Sequence, residues 1–200
     1  MKRFLSAIVA TLLLSSSVYS QGGMGPGPGV KSYSSTPPVD YILTQTLGTL
    51  INPAGFDGYL GFRFTTVASP LPVTALCRWK ISGNSQTHLV KLYREVDGGA
   101  GDVEIGSVSV DLSSGSDASY VCTNLGSPVT MNGSTAHYIY SQETPAGDAV
   151  YNDDTTIDSV TADVSSAINF SVYKVGAAGG RSISNGGART FVPVNFKVQP

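Results

Sequence analysis

The chain has 200 residues, 41% of them hydrophobic and only 13% charged, enough for one ordinary domain with a real core. Its 23 Gly and 11 Pro, with abundant Ser and Thr, suit strands joined by turns, and long helices would need more Glu, Lys, Ala and Leu. The formal net charge is -2 and no basic patch is present, which leaves a nucleic-acid partner and a cationic membrane-surface role without support.

Residues 1–20 open with Lys2 and Arg3, continue through the apolar run Phe4 to Leu14, and end with small residues at Val18 and Ser20. This is the pattern of a cleavable signal peptide. The apolar run is shorter than the roughly 20 residues a bilayer span needs, and no other segment approaches that length, so no membrane span is expected after cleavage. Losing Lys2 and Arg3 from the 12 basic residues leaves 10 against 14 acidic ones, a net charge of -4. Residues 21–38 are rich in Gly, Ser and Pro and read as a flexible leader. The domain is expected to span 39–200.

From Val39 onward, short period-two runs alternate with turn residues. Leu60, Phe62 and Phe64 share one face of a strand over 58–65. A strand over 72–81 places Val73, Ala75, Cys77, Trp79 and Ile81 on one face, with Arg78 and Lys80 opposite. His88, Val90 and Leu92 align over 87–95. Over 103–112 the apolar phase slips between Ile105 and Val108, with Gly106 at the slip, which predicts a β-bulge. Further strands are predicted at 118–125, 136–142, 155–162 and 167–174, and a last one over 190–198. Turn chemistry marks the links at Asn52-Pro53, Ser82-Gly83-Asn84, Asp97-Gly98-Gly99, Asn132-Gly133 and Asn185-Gly186-Gly187. Roughly nine or ten strands at this spacing predict an all-β fold, a single antiparallel β-sandwich of jelly-roll-like topology.

Several stretches carry a resemblance. They are Gly58-Tyr59-Leu60-Gly61-Phe62-Arg63-Phe64, Val73-Thr74-Ala75-Leu76, Gly83 to Leu92, Ser141-Gln142-Glu143 through Gly147-Asp148 with Tyr151, and Val192 to Lys197. Together they resemble a poorly characterised, carbohydrate-binding-like β-sandwich module, a domain of unknown function found in exported bacterial proteins. The resemblance covers about Val39 to Val198. It implies a sandwich that sits beside other activities, and a bacterial, extracellular or cell-surface setting. One departure is Cys77, where that module more often carries Gly.

The residues that could carry chemistry are few. Cys77 and Cys122 are the only cysteines. In an oxidising compartment they form one disulfide if their strands are adjacent, and stay two buried thiols if not. His88 on an apolar face and His137 at a strand start read as structural, and no nucleophile elbow accompanies them, so no enzymatic role is expected. Glu143, Asp148, Asp153 and Asp154 crowd one segment. They read as a solvated acidic loop or as oxygen ligands for calcium, the one cofactor weighed. Trp79, sharing a face with Val73 and Ile81, reads as core, the alternative being a ring that stacks on a sugar. Tyr138, Tyr140 and Gln142 share a strand face, either as an exposed stripe for a ligand or as cross-strand packing, with Tyr151 as a further ligand candidate. The Gly- and Ser-rich segment 176–188 before the last strand reads as a loop leading to a strand that completes its own sheet, the alternative being strand exchange with a second copy. The expected function is a secreted, non-catalytic binding or surface module, with an extracellular polysaccharide as the partner class. The alternative is a self-assembling subunit of a matrix, fibre or surface layer.

Overall fold

The computed structural model describes residues 36–52, 57–67, 69–96, 102–161, 171–176, 181–184, 189–190 and 194–199. The predicted signal peptide and nearly all of the predicted leader lie outside them. Tyr33–Pro200 forms one compact unit. Among the described residues there is no helix, and so none long and apolar enough to cross a membrane.

The strands in chain order are β1 (Val39–Asp40), β2 (Ile42–Thr46), β3 (Leu50–Ile51), β4 (Gly58–Thr65), β5 (Leu71–Lys80), β6 (Thr87–Arg94), β7 (Val103–Asp111), β8 (Ser119–Met131), β9 (Ala136–Glu143), β10 (Val150–Tyr151), β11 (Thr155–Val160), β12 (Ser171–Gly176), β13 (Arg181–Ser184), β14 (Arg189–Thr190) and β15 (Val194–Val198). Among the described residues they exceed the nine or ten expected: four are two-residue pieces that carry no period-two signal of their own, and β2 and β13 were not among the predicted strands. A six-stranded sheet has the order β13-β12-β4-β9-β6-β7 and a four-stranded sheet the order β1-β15-β5-β8. Two smaller ladders, β14-β11-β2 and β10-β3, complete the fold. The pairings are antiparallel throughout.

The chain passes from the large sheet to the four-stranded one and back at β4-β5-β6, and again at β7-β8-β9. This is the crossing pattern of a jelly-roll-like sandwich. The core between the sheets takes Leu60, Phe62 and Phe64 from β4, Val90 and Leu92 from β6, Ile139 from β9, Leu76 from β5 and Phe196 from β15. The period-two assignments for β4 and β6 therefore hold, with Phe62, Phe64, Val90 and Leu92 fully buried. Each such side chain contributes about 1.5–3 kcal/mol of burial.

The predicted bulge is present. Leu92 pairs with Gly106 and the next residue, Tyr93, pairs with Glu104, so Ile105 is skipped. The Ser82-Gly83-Asn84 turn also forms: Asn84 N–H donates to the Ile81 carbonyl at 2.9 Å. Gly83 holds φ at +90°, a conformation that only glycine adopts freely. β15 lies inside its own sheet, between β1 and β5, with Phe196 opposite Leu76. The last strand therefore completes its own sandwich.

Candidate functional site

Strand β5 departs from the expected alternation. Thr74 is skipped in the ladder with β15. On the other side, Val73 pairs with Val129 but Ala75 pairs with Asn124, so residues 125–128 of β8 lie opposite Thr74 alone. The irregularity shifts the strand's phase by one residue, and a one-residue shift sends every later side chain to the other face. Leu71 and Val73 face the core before it, and Leu76 does so after it. Arg78 and Lys80 follow Leu76 inward, while Trp79 turns away.

This corrects two expectations. The alternation puts Trp79 in the core with Val73 and Ile81; it is only half-buried. Its ring meets Tyr120 edge-on at 5.0 Å. Arg78 and Lys80 were placed opposite the core; Arg78 is 1% exposed and crosses the sandwich to β9. Leu76 carried the signal that an unbroken alternation overlooks: it is an apolar residue in phase with the two basic ones.

Trp79 lines an open groove of about 340 Å³ together with Leu50, Lys80, Ile81, Ser82, Asp117, Ala118 and Tyr151. Each wall has its own support. Behind Trp79, the Tyr120 hydroxyl donates to Gln45 Oε1 at 2.6 Å, and burial holds that phenol well above the usual tyrosine range, with Asp40 adding to the rise. Lys80 Nζ donates to the carbonyls of Ser114 and Gly115 at 3.4 and 3.2 Å, and Ala118 N–H donates to the Lys80 carbonyl at 2.9 Å. These bonds pin the 112–118 turn that presents Asp117. Tyr151 pairs with Leu50, which also lines the groove, in the β3-β10 ladder.

The ladder that carries Tyr151 is anchored by a buried polar network. Arg78 Nη2 reaches both oxygens of Glu143, at 3.3 and 3.2 Å, and Arg78 Nε donates to the Ser141 hydroxyl at 3.1 Å. His88 lies beside Glu143, its Nδ1 3.5 Å from Oε2. The same nitrogen faces the Gln142 carbonyl at 2.8 Å, and Nε2 faces Asp148 Oδ2 at 3.1 Å. Asp148 also accepts the backbone N–H groups of Ser85 and Gln86, at 3.1 and 2.8 Å. Burial pushes the Asp148 carboxyl up, but the bonds from His88, Gln86 and Ser85 outweigh it and hold it below the usual range. Asn84 and Ala149 then exchange two bonds, at 2.9 and 3.0 Å. The network docks the 144–149 segment onto the 82–88 turn, and Tyr151 follows directly. His88 is 3% exposed with both ring nitrogens engaged.

The four acidic residues are not brought together as one ligand set. Glu143 and Asp148 are spent on Arg78 and His88. Asp154 accepts from the Thr49 N–H and hydroxyl at 2.8 and 2.7 Å, and Asp153 is half-buried in the turn before it. Among the described residues only Asp40, Cys77 and Cys122 place three potential ligand atoms within 4.8 Å of one another, and the cysteines there are joined to each other. Cys77 and Cys122 sit directly opposite in the β5-β8 ladder and form the disulfide, with Cα atoms 4.0 Å apart.

Tyr138 and Tyr140 lie apart from the groove, on the face of β9 that points away from the core. They are 0% and 7% exposed and cluster with Tyr59 and Tyr93, whose rings meet Tyr140 at 4.7 and 5.3 Å. The Arg63 guanidinium lies 5.9 Å from the Tyr138 ring. This is cross-strand packing, and Gln142, half-buried, follows along the same strand. Of the four ligand candidates, Tyr151 alone lines the groove.

No family model and no curated protein matches the chain.

Proposed function

We propose that this protein is an exported, non-catalytic β-sandwich that binds a saccharide in the Trp79–Tyr151 groove. The observation that carries the proposal is the placement of Trp79. The single tryptophan of the chain leaves the core and joins a tyrosine beside polar groups in an open groove. Aromatic faces stack on the C–H faces of sugar rings, and neighbouring hydroxyl and carboxylate groups fix orientation. The resemblance to carbohydrate-binding-like sandwiches points the same way. The disulfide fits an oxidising compartment, as the signal-peptide pattern requires. Self-assembly through a detached terminal strand draws no support from the position of β15 within its own sheet.

Because Trp79 is the only tryptophan, its fluorescence reports on the groove directly. Titration with soluble oligosaccharides of several linkage types is expected to shift or quench the emission saturably. Tyr151→Ala is expected to weaken that binding at least about tenfold while the melting temperature stays within a few degrees, because Tyr151 is half-buried. A panel of neutral and charged glycans at millimolar concentration with no saturable change would defeat the proposal.

A further inference from the structure

We infer that the groove selects a cationic saccharide, an amino-sugar oligomer, over neutral or uronic-acid sugars; this rests on the groove being the saccharide site. The groove contains two charged side chains, and they differ in what they offer a ligand. Lys80 is 11% exposed, and its ammonium is directed at the Ser114 and Gly115 carbonyls. Asp117 is 49% exposed, and its nearer oxygen stands 3.9 Å from Lys80 Nζ, too far for a hydrogen bond. The lysine's N–H donors thus hold the turn while its charge pairs with Asp117 at 3.9 Å, and the more exposed of the two charged groups is the carboxylate.

A carboxylate beside tryptophan and tyrosine is a matched set for a protonated amine on a sugar ring. The ring's C–H face lies on the aromatics. The ammonium meets Asp117 and also gains from the negative faces of the Trp79 and Tyr151 rings. A uronic acid in the same pose would bring its carboxylate against Asp117, an unfavourable like-charge contact. The net charge of -4 on the processed chain adds a weak, salt-sensitive attraction of the same sign.

The test is a Trp79 fluorescence titration of the full processed chain at pH 5.5 and low salt. The probes are a glucosamine oligomer, its fully N-acetylated form, a neutral glucan and a uronic-acid oligomer of equal length. The glucosamine oligomer is expected to bind about fivefold tighter than the neutral one, the size of one exposed charge pair. The uronic-acid oligomer should bind weakest. Asp117→Asn should bring the glucosamine and neutral oligomers within about twofold of each other. Equal binding of all four sugars, or a preference that survives Asp117→Asn, overturns the inference while leaving the groove as a saccharide site. No response to any of them overturns the saccharide proposal beneath it.

Discussion

His137 shows how far a buried neutral base can couple this fold to pH. Its ring stacks on Phe64 at 5.8 Å, and Nδ1 faces the Thr135 carbonyl at 2.9 Å. Nε2 has no hydrogen-bond partner among the described residues. Burial lowers its pKa to about 4, and the Arg94 charge adds to the drop. The folded state thus binds this proton more weakly than the unfolded chain, whose histidine titrates near 6.5. Stability from the neutral ring is fully present above pH 6.5 and is lost as the pH falls toward 4, by up to about 3 kcal/mol. Chemical denaturation across that window is expected to show the loss, and His137→Phe should flatten it; an unchanged slope would remove His137 as its source. Arg78 and Glu143 form the complementary case, a charge pair 1% and 0% exposed. Removing only the cation, in Arg78→Met, leaves Glu143 buried and is expected to cost about 3–5 kcal/mol. Replacing both, in Arg78→Met with Glu143→Leu, should recover most of that in the same denaturant experiment. Neither role is legible residue by residue, because burial of a histidine or an arginine depends on what the opposite sheet places over it.

At the scale of elements, regular ladders were legible and interrupted ones were not. β4 and β6 keep an unbroken alternation, so Phe62, Phe64, Val90 and Leu92 fall inward as their spacing predicts. The slip at Gly106 was visible because glycine stood where the apolar phase changed. The slip at Thr74 was not, because threonine suits a strand and the residues lying opposite it come from β8, about 50 positions away. The same pairing fixes the disulfide. Sequence supplied two cysteines, and the β5-β8 register put them face to face. The bridge closes a loop of sequence separation 45, which stabilises the fold by about 4 kcal/mol on the chain-entropy estimate. The double variant Cys77→Ala/Cys122→Ala is expected to lose about that much in urea or guanidinium unfolding, and a loss below about 1 kcal/mol would show that the ladder alone holds the two strands.

At the scale of the molecule, the acidic segment 143–154 is a set of fasteners between loops. Glu143 and Asp148 tie it to Arg78 and His88, and Asp154 ties it to Thr49, so chelation should leave the melting temperature unchanged in scanning calorimetry. A fall of several degrees on adding chelator, reversed by calcium, would show an ion at work there. Composition and period-two patterning determined the all-β class, the turns at 82–84 and 132–133 and most of the core of the large sheet, since these follow from local backbone preference and burial of one strand face. Only the tertiary structure decided that Trp79 opens onto a groove, that Arg78 and His88 join two acids in the interior, and that Tyr151 lines the same groove as Trp79. The physical reason is register. A single skipped residue inverts the faces of a strand, and what decides whether it is skipped lies on another strand far along the chain.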